Sequence, residues 1–458
     1  MTLISSVSGI RGTLGGKSGD NLTPIDVVRF ASAYGSWLLQ NHEKAIVVVG
    51  RDARPSGPMI QTLVQQTLIS LGIDVIDVGL STTPTVEMEV VRHKAHGGII
   101  LTASHNPKEW NALKLLNEKG EFLNAQDGEK INQMSQNLSA IDFAVVDDLG
   151  SICIEPDAIQ HHIEAIRNLP IVDLKAIRTK GFKIVVDGVN SSGGIAVPQL
   201  LQALGANVVL IHCEPNGDFP HNPEPLAHHL TDLSEAVVAH QADLGIAVDP
   251  DVDRLVFMDE KGTLFGEEYT LVACADYVLR TNPGNTVSNL SSTRALAEVT
   301  AQYGGNYVAS AVGEVHVVEM MKKTNAVIGG EGNGGVIYPD LHYGRDALVG
   351  IALFLSHLCH ADCSVSVLRS HYPNWLMKKD KITLSKTTDT DALLKKIALH
   401  FSDEQVTTID GVKVDFPYGW VHIRKSNTEP IIRIYAEAKT KSELDQLVTA
   451  IETLVATD

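Results

Sequence analysis

Ser104 closes the stretch Thr102-Ala103-Ser104, directly after an apolar run from Gly98 to Leu101 and directly before His105, Asn106 and Pro107. A strand that stops at a small polar loop holds its last side chains over a sheet edge, where α/β proteins keep their chemistry. A serine there can act as a nucleophile, although Ser, Asn and Pro also favour turns for backbone reasons of their own. Asp249, Asp251 and Asp253 alternate just after a second apolar run, Asp243 to Val248. Three hard carboxylates in one short loop suit a divalent cation such as Mg²⁺, and without one they resist joint ionisation. A solvated acidic turn is the plainer reading of the same loop.

Two further loops carry polar groups in useful company. In AVIGGEGNGG, glycines 329, 330, 332, 334 and 335 let the backbone approach a ligand closely, while Glu331 and Asn333 offer hydrogen-bonding groups suited to sugar hydroxyls. Glycine clusters also make ordinary turns. In WVHIRKSNTEPIIRI, Arg424, Ser426, Asn427 and Thr428 lie between two apolar runs. A guanidinium fork beside hydroxyls and free N–H groups can grip phosphate; a charged hairpin turn is the alternative. A nucleophile, a cation loop, a hydroxyl reader and a phosphate clamp are together the parts that phosphoryl transfer on a sugar phosphate needs.

These loops must be positioned by strands and helices. At 458 residues the chain is too long for one core, so several domains are expected. Val/Ile-rich runs at Ala45 to Val49, Gly98 to Leu101, Lys183 to Val186, Asn207 to Ile211, Asp243 to Val248 and Ala326 to Gly329 are each followed by a polar loop and a helix-period stretch. Strands alternating with helices predict an α/β protein with parallel or mixed sheets. From about residue 370 the pattern reads strand, helix, strand, strand, helix, a smaller α+β unit. The expected domains are 1–150 with the serine loop, 151–254 with the acidic loop, 255–368 with the glycine loop and 369–458 with the arginine loop.

The formal charge of -18 makes the average surface repel nucleic acid and anionic lipid, so neither is an expected partner and an anionic substrate needs local cations. Five scattered cysteines without a CxxC pair fit reduced thiols in a cytoplasm. Cys359, His360 and Cys363 invite a metal reading, but the helical apolar pattern around them favours core thiols. MTLISSVSGIRGT shows no secretory pattern, and the longest apolar run, Ala347 to Leu355, is far shorter than a membrane span.

With its loops taken in order, the chain resembles the α-D-phosphohexomutase family along nearly its whole length. The resemblance rests on SGIRG at 8–12, TASHNP at 102–107, DPDVDR at 249–254, GEGNGG at 330–335 and RKSNTEP at 424–430, with VVGRDARPSG at 48–57 and GDFPHNPEP at 217–225 in support. A haloacid-dehalogenase phosphatase also places an Asp-x-Asp loop after a strand, but that motif usually opens its domain, and Ser104 here offers a separate nucleophile.

The resemblance implies four domains around a central cleft, three related α/β units and a C-terminal α+β unit. It implies that Ser104 carries a phosphoryl group exchanged with a hexose 1- or 6-phosphate through a hexose 1,6-bisphosphate, which also serves as primer. Ser104, Asp249, Asp251 and Asp253 would be the Mg²⁺ ligands. Arg11 and Arg254 would line the active site, Lys114 would be the general acid/base with a pKa moved toward neutrality, and His105 would orient the loop. Glu331 and Asn333 would read hydroxyls, while Arg424, Ser426, Asn427 and Thr428 would hold the phosphate that is not reacting.

Two departures concern specificity. Where many bacterial relatives end the sugar loop in Ser-Gly-His, this chain has Asn333, Gly334 and Gly335, and Glu314 stands where some relatives carry histidine. A carboxylate there would favour a ligand ammonium, or would pair with a nearby lysine. The expected activity is that of a phosphoglucosamine mutase, with phosphomannomutase/phosphoglucomutase activity as the alternative. Outside the class, a sugar-phosphate phosphatase or a non-catalytic sugar-phosphate sensor would use some of the same loops.

Overall fold

The computed structural model describes residues 2–6, 9–385, 388–425 and 431–456. Ser8 of SGIRG, and Ser426, Asn427 and Thr428, lie outside the described residues.

The described strands form four sheets. In the first, the spatial order is Ile4–Ser6, Gly9–Thr13, Trp110–Leu116, Gly97–Leu101, Ile46–Arg51, Asp74–Leu80 and Ile152–Ile154. The second runs Leu255–Met258, Leu244–Val248, Lys183–Asp187, Asn207–Ile211, and the third Tyr307–Ser310, Asn285–Asn289, Ala326–Glu331, Gly335–Ile337. Each is mixed, with parallel neighbours joined through helices and at least one antiparallel strand. The six strands expected from sequence all form, within a residue or two at their ends.

One plan recurs in these three units. A buried strand of a parallel pair turns into an antiparallel neighbour, and the turn carries the polar loop. Gly97–Leu101 returns as Trp110–Leu116 with Leu101 opposite Leu113; Leu244–Val248 returns as Leu255–Met258 with Val248 opposite Leu255; Ala326–Glu331 returns as Gly335–Ile337 with Glu331 opposite Gly335. The serine, acidic and glycine loops therefore occupy equivalent places in three successive sheets.

The sheets do not end where composition placed the boundaries. Ile152–Ile154 pairs with Asp74–Leu80 in the first sheet, and Leu255–Met258 completes the second. The seams at 150 and 254 thus fall a few residues too early, because a change in composition marks the end of a loop and not the last paired strand. The fourth sheet is wholly antiparallel, in the order Leu376–Thr383, Ile431–Ala438, Gly419–Lys425, Val412–Phe416, Gln405–Thr407, with helices Thr390–His400 and Lys441–Ala456. It holds more strands than the three expected from sequence: Gln405–Thr407 is only three residues long, and Val412–Phe416, although it alternates apolar and polar residues as a strand does, is not among those three.

Packing joins the middle units. A single apolar core runs from Ile163 to Trp375, with the almost fully buried helix Ala347–Ala361 at its centre. Asp346 starts that helix by accepting the N–H groups of Leu348 and Val349. The first and fourth units have cores of their own. Cys359 and Cys363 pack against the central core, and His360 Nε2 pairs with Asp173 at 3.1 Å, so these three do not converge on a metal. Among the described residues, no helix is long and apolar enough to cross a membrane.

Candidate active site

The serine loop is held under strain. Ser104 has φ +49°, a left-handed conformation that costs a residue with a side chain roughly 1 kcal/mol or more. Its N–H donates to Thr102 Oγ1 at 2.9 Å, and the fully buried Arg54 donates to the carbonyls of Ser104, Asn106, Pro107 and Trp110. Arg54 is anchored by Asp52 at 2.9 Å, whose Oδ2 also accepts from Thr102 Oγ1 at 2.7 Å. The buried ion pair is satisfied at every turn, as an interior charge requires. Sequence reading quoted GRDARPSG but assigned Arg54 no task, because four backbone carbonyls leave no trace in sequence.

Ser104 Oγ donates to Asp249 Oδ2 at 2.7 Å across two units. Asp249 Oδ1 accepts the N–H groups of Asp253 and Arg254, both at 3.1 Å, folding the acidic loop around itself. Asp251 Oδ2 takes Thr83 Oγ1 at 2.6 Å and Lys114 Nζ at 2.7 Å, and Asp253 Oδ2 takes Arg345 Nη2 at 2.6 Å. One oxygen of each carboxylate lies within 4.8 Å of the other two. Asp251 Oδ1 and Asp253 Oδ1 are buried without a hydrogen-bond donor among the described residues. Orphaned buried acceptors in an oxygen-only cluster are what a hard divalent cation satisfies, so the residues present fit such an ion. Burial, then repulsion from Asp253 and Asp251, pushes the Asp249 carboxyl well up; burial also raises Asp251, but Lys114 and Thr83 outweigh it and hold that carboxyl low.

Lys114 departs from expectation. Burial pulls its ammonium down, yet Asp251 and Asp253 at 2.7 and 3.4 Å outweigh that and leave its pKa raised. The resemblance implied a pKa moved toward neutrality; the flanking carboxylates move it the other way. His105 Nδ1 lies 3.4 Å from Ser104 Oγ, and burial, then Arg254, lowers its pKa well below the usual value, so the ring is neutral.

Arg11 Nη1 donates to Asn106 Oδ1 at 3.1 Å. Burial, then Arg254 and Arg433, lowers its pKa: three guanidinium groups face one region. Arg254 reaches Glu224 at 3.3 Å but leaves Nε buried without an acceptor among the described residues. Converging cations with an unmet donor beside Ser104 make a place for an anion.

In the glycine loop, Glu331 Oε1 accepts from Asn289 at 2.7 Å and from the N–H of Gly313 at 3.1 Å; its Oε2 meets Arg345 Nη1 at 2.8 Å and Asn333 Nδ2 at 3.4 Å. A Cβ on Gly332 would stand 1.8 Å from the Glu268 carboxylate, so any larger residue there would displace Glu268 from the Thr293 N–H that it accepts at 2.9 Å. Glu314 accepts twice from Arg345, from its N–H at 3.2 Å and its Nε at 2.9 Å, and burial pushes its carboxyl up to about 7. Its partner is therefore an arginine and not the lysine considered from sequence. Arg345, unnoticed in the sequence, joins the acidic loop, the glycine loop and Glu314. Arg424, next to last in the strand Gly419–Lys425, has Nε 2.9 Å from Asp410 Oδ2; residues 426–430 of its loop are outside the described residues.

Comparison with known proteins agrees with this arrangement. The chain matches four phosphoglucomutase/phosphomannomutase domain families: the alpha/beta/alpha domains I, II and III over residues 3–142, 160–262 and 266–375, and the C-terminal domain over 380–454. It is 36% identical over 441 residues to a phosphoglucomutase/phosphomannomutase of Thermococcus kodakarensis, covering 94% of this chain and 95% of that one. It is 30% identical over 463 residues to a phosphoglucosamine/phosphogalactosamine mutase of Sulfurisphaera tokodaii, covering 99% of each. A crystal structure of a phosphoglucomutase/phosphomannomutase family protein from Burkholderia thailandensis superposes with a TM-score of 0.85 at 26% identity, over 99% of this chain and 98% of that one. Matched through all four of its domains, the chain belongs to the phosphoglucomutase/phosphomannomutase family and is an α-D-phosphohexomutase.

Proposed function

We propose that this phosphohexomutase interconverts hexose 6-phosphate and hexose 1-phosphate through a phosphoryl group carried on Ser104. The observation that carries the reading is Ser104 Oγ, held by a strained loop, 2.7 Å from Asp249 in the three-carboxylate cluster. Phosphorylated Ser104 donates its phosphoryl group to a sugar hydroxyl: the P–Oγ bond breaks and a P–O bond to the sugar forms. The 1,6-bisphosphate turns over in the cleft and returns its other phosphoryl group to Ser104 Oγ, so the same molecule primes an unphosphorylated serine. With Ser104 unphosphorylated, Lys114 is the ammonium held by Asp251 and Asp253: it gives its proton to the departing sugar oxygen as the phosphoryl group reaches Ser104, and the neutral amine left behind takes the proton of the attacking hydroxyl when the phosphoryl group goes back, while the serine oxygen is received beside Asp249.

Asp249, Asp251 and Asp253, with a phosphoserine oxygen, would hold Mg²⁺, which when bound offsets charge on the transferring phosphoryl group. Arg11 and Arg254 hold phosphoryl oxygens near Ser104, and His105 orients the loop as a neutral ring. Glu331 and Asn333 read sugar hydroxyls. Arg424, with Ser426, Asn427 and Thr428, grips the distal phosphate, a group common to both ends of the bisphosphate, which allows either orientation to bind. The domains we assign to these tasks follow the four loops. Five free cysteines fit a cytoplasmic enzyme.

For the sugar, the geometry favours a neutral hexose phosphate. Glu314, the residue that would attract an ammonium, is already engaged twice by Arg345, and the Thermococcus relative carries the phosphoglucomutase/phosphomannomutase name. The glucosamine phosphate reading has support from the Sulfurisphaera relative's name and from the carboxylate itself. The deciding experiment is kcat/KM for glucose 1-phosphate, mannose 1-phosphate and glucosamine 1-phosphate, with Mg²⁺ and the matching bisphosphate, while free phosphate is monitored. Faster turnover of the neutral sugars supports the first reading, a preference for the amino sugar the second, and stoichiometric release of phosphate would make the protein a phosphatase.

A further inference from the structure

Next to Arg345 in sequence, Asp346 anchors a second cluster that the mutase reaction does not use. His162, from the helix Ala158–Arg167, and His342, from the turn before the helix Ala347–Ala361, both direct Nε2 at Asp346 Oδ2, at 2.9 and 3.3 Å. One ligand atom from each residue lies within 4.8 Å of the other two. His162 and Asp346 are buried, and the His342 side chain is 11% exposed. Asp346 Oδ1 is taken up as the helix cap by the N–H groups of Leu348 and Val349, so Oδ2 alone faces the two rings.

The outer ring nitrogens are supported in turn. His162 Nδ1 lies 2.9 Å from Thr85 Oγ1, which pairs with Thr82 Oγ1 at 2.7 Å. His342 Nδ1 lies 3.4 Å from Glu87 Oε2. Glu87 is 1% exposed, and neither of its oxygens has a hydrogen-bond donor among the described residues. Burial, then Glu314, pushes the Glu87 carboxyl well up, which favours a proton shared with His342 Nδ1 and an Nε2–H donated to Asp346 Oδ2 while no cation is bound. A cation among the three converging donors would turn both Nε2 lone pairs toward itself, with the His342 Nδ1–H received by an ionised Glu87, which only accepts. Imidazoles whose Nδ1–H is received by an outer carboxylate or hydroxyl, leaving Nε2 free, are the arrangement seen around bound metals.

We propose that His162 Nε2, His342 Nε2 and Asp346 Oδ2 form a second cation site, separate from the aspartate loop, for a borderline transition metal of the Zn²⁺ class. Two imidazoles and one carboxylate suit such an ion better than Mg²⁺, which prefers an all-oxygen shell. Donors 2.0–2.2 Å from a tetrahedral ion stand roughly 3.3 Å apart, and the two nitrogen–oxygen separations are already on that scale. Binding replaces each Nε2–H···Asp346 hydrogen bond by a bond from the Nε2 lone pair to the metal: each ring keeps one proton, now on Nδ1 where Thr85 and Glu87 receive it, and the proton that Glu87 held goes to solvent. The ion would lock the helices Ala158–Arg167 and Ala347–Ala361 together, with the helix Thr83–Arg92 fastened to them through Thr85 and Glu87.

The test uses the full chain, stripped with a chelator and returned to excess Mg²⁺, which occupies all-oxygen sites, and then titrated with Co²⁺ as a spectroscopic probe. The site predicts one equivalent of Co²⁺ with the visible absorption of a low-coordinate nitrogen–oxygen shell. The absorption should be lost in His162→Gln and in His342→Gln, be retained in Asp249→Asn, and require about 10- to 100-fold more Co²⁺ in Glu87→Gln, which removes an outer support and no ligand. Should the histidine variants fail to fold, the wild-type titration and Glu87→Gln decide. No absorption in the wild-type protein would overturn the site and leave His342 as an imidazolium, or beside a protonated Glu87. Absorption that survives both histidine variants, is unmoved by Glu87→Gln, or vanishes in Asp249→Asn would overturn it as well.

Discussion

Arg345 Nη2 lies 2.6 Å from Asp253 Oδ2, and through that contact the acidic loop of the second unit is tied to the third. The same guanidinium reaches Glu314 and Glu331 at 2.9 and 2.8 Å, so one buried cation serves three carboxylates. All three acidic partners raise its pKa against the opposing effect of burial, which comes first in size. Removing it leaves three buried carboxylates without their common partner.

Arg345→Met should therefore destabilise the protein by about 3–5 kcal/mol, the usual result of breaking a buried pair from one side. It should also lower kcat/KM by misplacing Asp253 and Glu331. Adding Glu314→Gln should recover part of the stability, with a coupling of about 0.5–3 kcal/mol between neighbours in one network. Urea unfolding of the two single variants and the double variant measures both; simple additivity would mean that Arg345 and Glu314 do not act together.

His422 joins the third and fourth units, and its protonation should show in acid. Its Nε2–H donates to the Asp410 carbonyl at 2.6 Å, so Nδ1 is the acceptor of the Ser291 hydroxyl at 2.9 Å. Burial, helped by Arg424 and Lys413 and opposed by Asp410, brings its pKa from 6.5 to about 4. A histidine whose folded pKa is depressed gives its full stabilisation above 6.5 and loses it as pH falls from 6.5 toward 4, by up to roughly 3 kcal/mol at 1.36 kcal/mol per unit. His422→Gln should be less stable than wild type above pH 6.5, with the gap closing toward pH 4. A gap that stays constant across that range would refute the assignment.

Lys114→Met should depress turnover by about 10²- to 10⁴-fold, the range for a positioned proton-transfer group, with a smaller effect on KM. Steady-state kinetics at saturating bisphosphate separates the two. A rise in KM alone would make Lys114 a clamp for substrate and for Asp251.

Arg424→Ala should weaken hexose phosphate binding by about 1.5–3 kcal/mol, the scale of a charged hydrogen bond. Asp410 holds this guanidinium in the structure and would compete with a bound phosphate, so Asp410→Asn should strengthen binding. Calorimetric titration with substrate checks both signs, and unchanged affinity in both variants would remove Arg424 from the site.

Much of this arrangement was legible in the chain. The apolar runs that end in Ser104, Asp249 and Glu331 could be read as strands feeding loops, because five-residue Val/Ile-rich segments bounded by Gly, Asp and Asn have few other uses. The sheets place those three loops at equivalent turns, but each loop leads into an antiparallel strand and not into the helix-period stretch expected after it. Arg54 and Arg345 were not legible: one binds backbone carbonyls and the other carboxylates far away in sequence, so neither spacing nor composition marks them. Lys114 was read with the wrong surroundings for the same reason. Asp251 and Asp253, its neighbours in space, are more than 130 positions away along the chain.

Whether Ser104 carries the phosphoryl group is decided by mutase flux in Ser104→Ala beside wild type, each primed with hexose 1,6-bisphosphate in Mg²⁺. Flux should fall on the order of 10⁴-fold or more, and mass spectrometry should find phosphate on the wild-type peptide containing Ser104. Full flux in Ser104→Ala, or phosphate carried at another residue, would contradict that role.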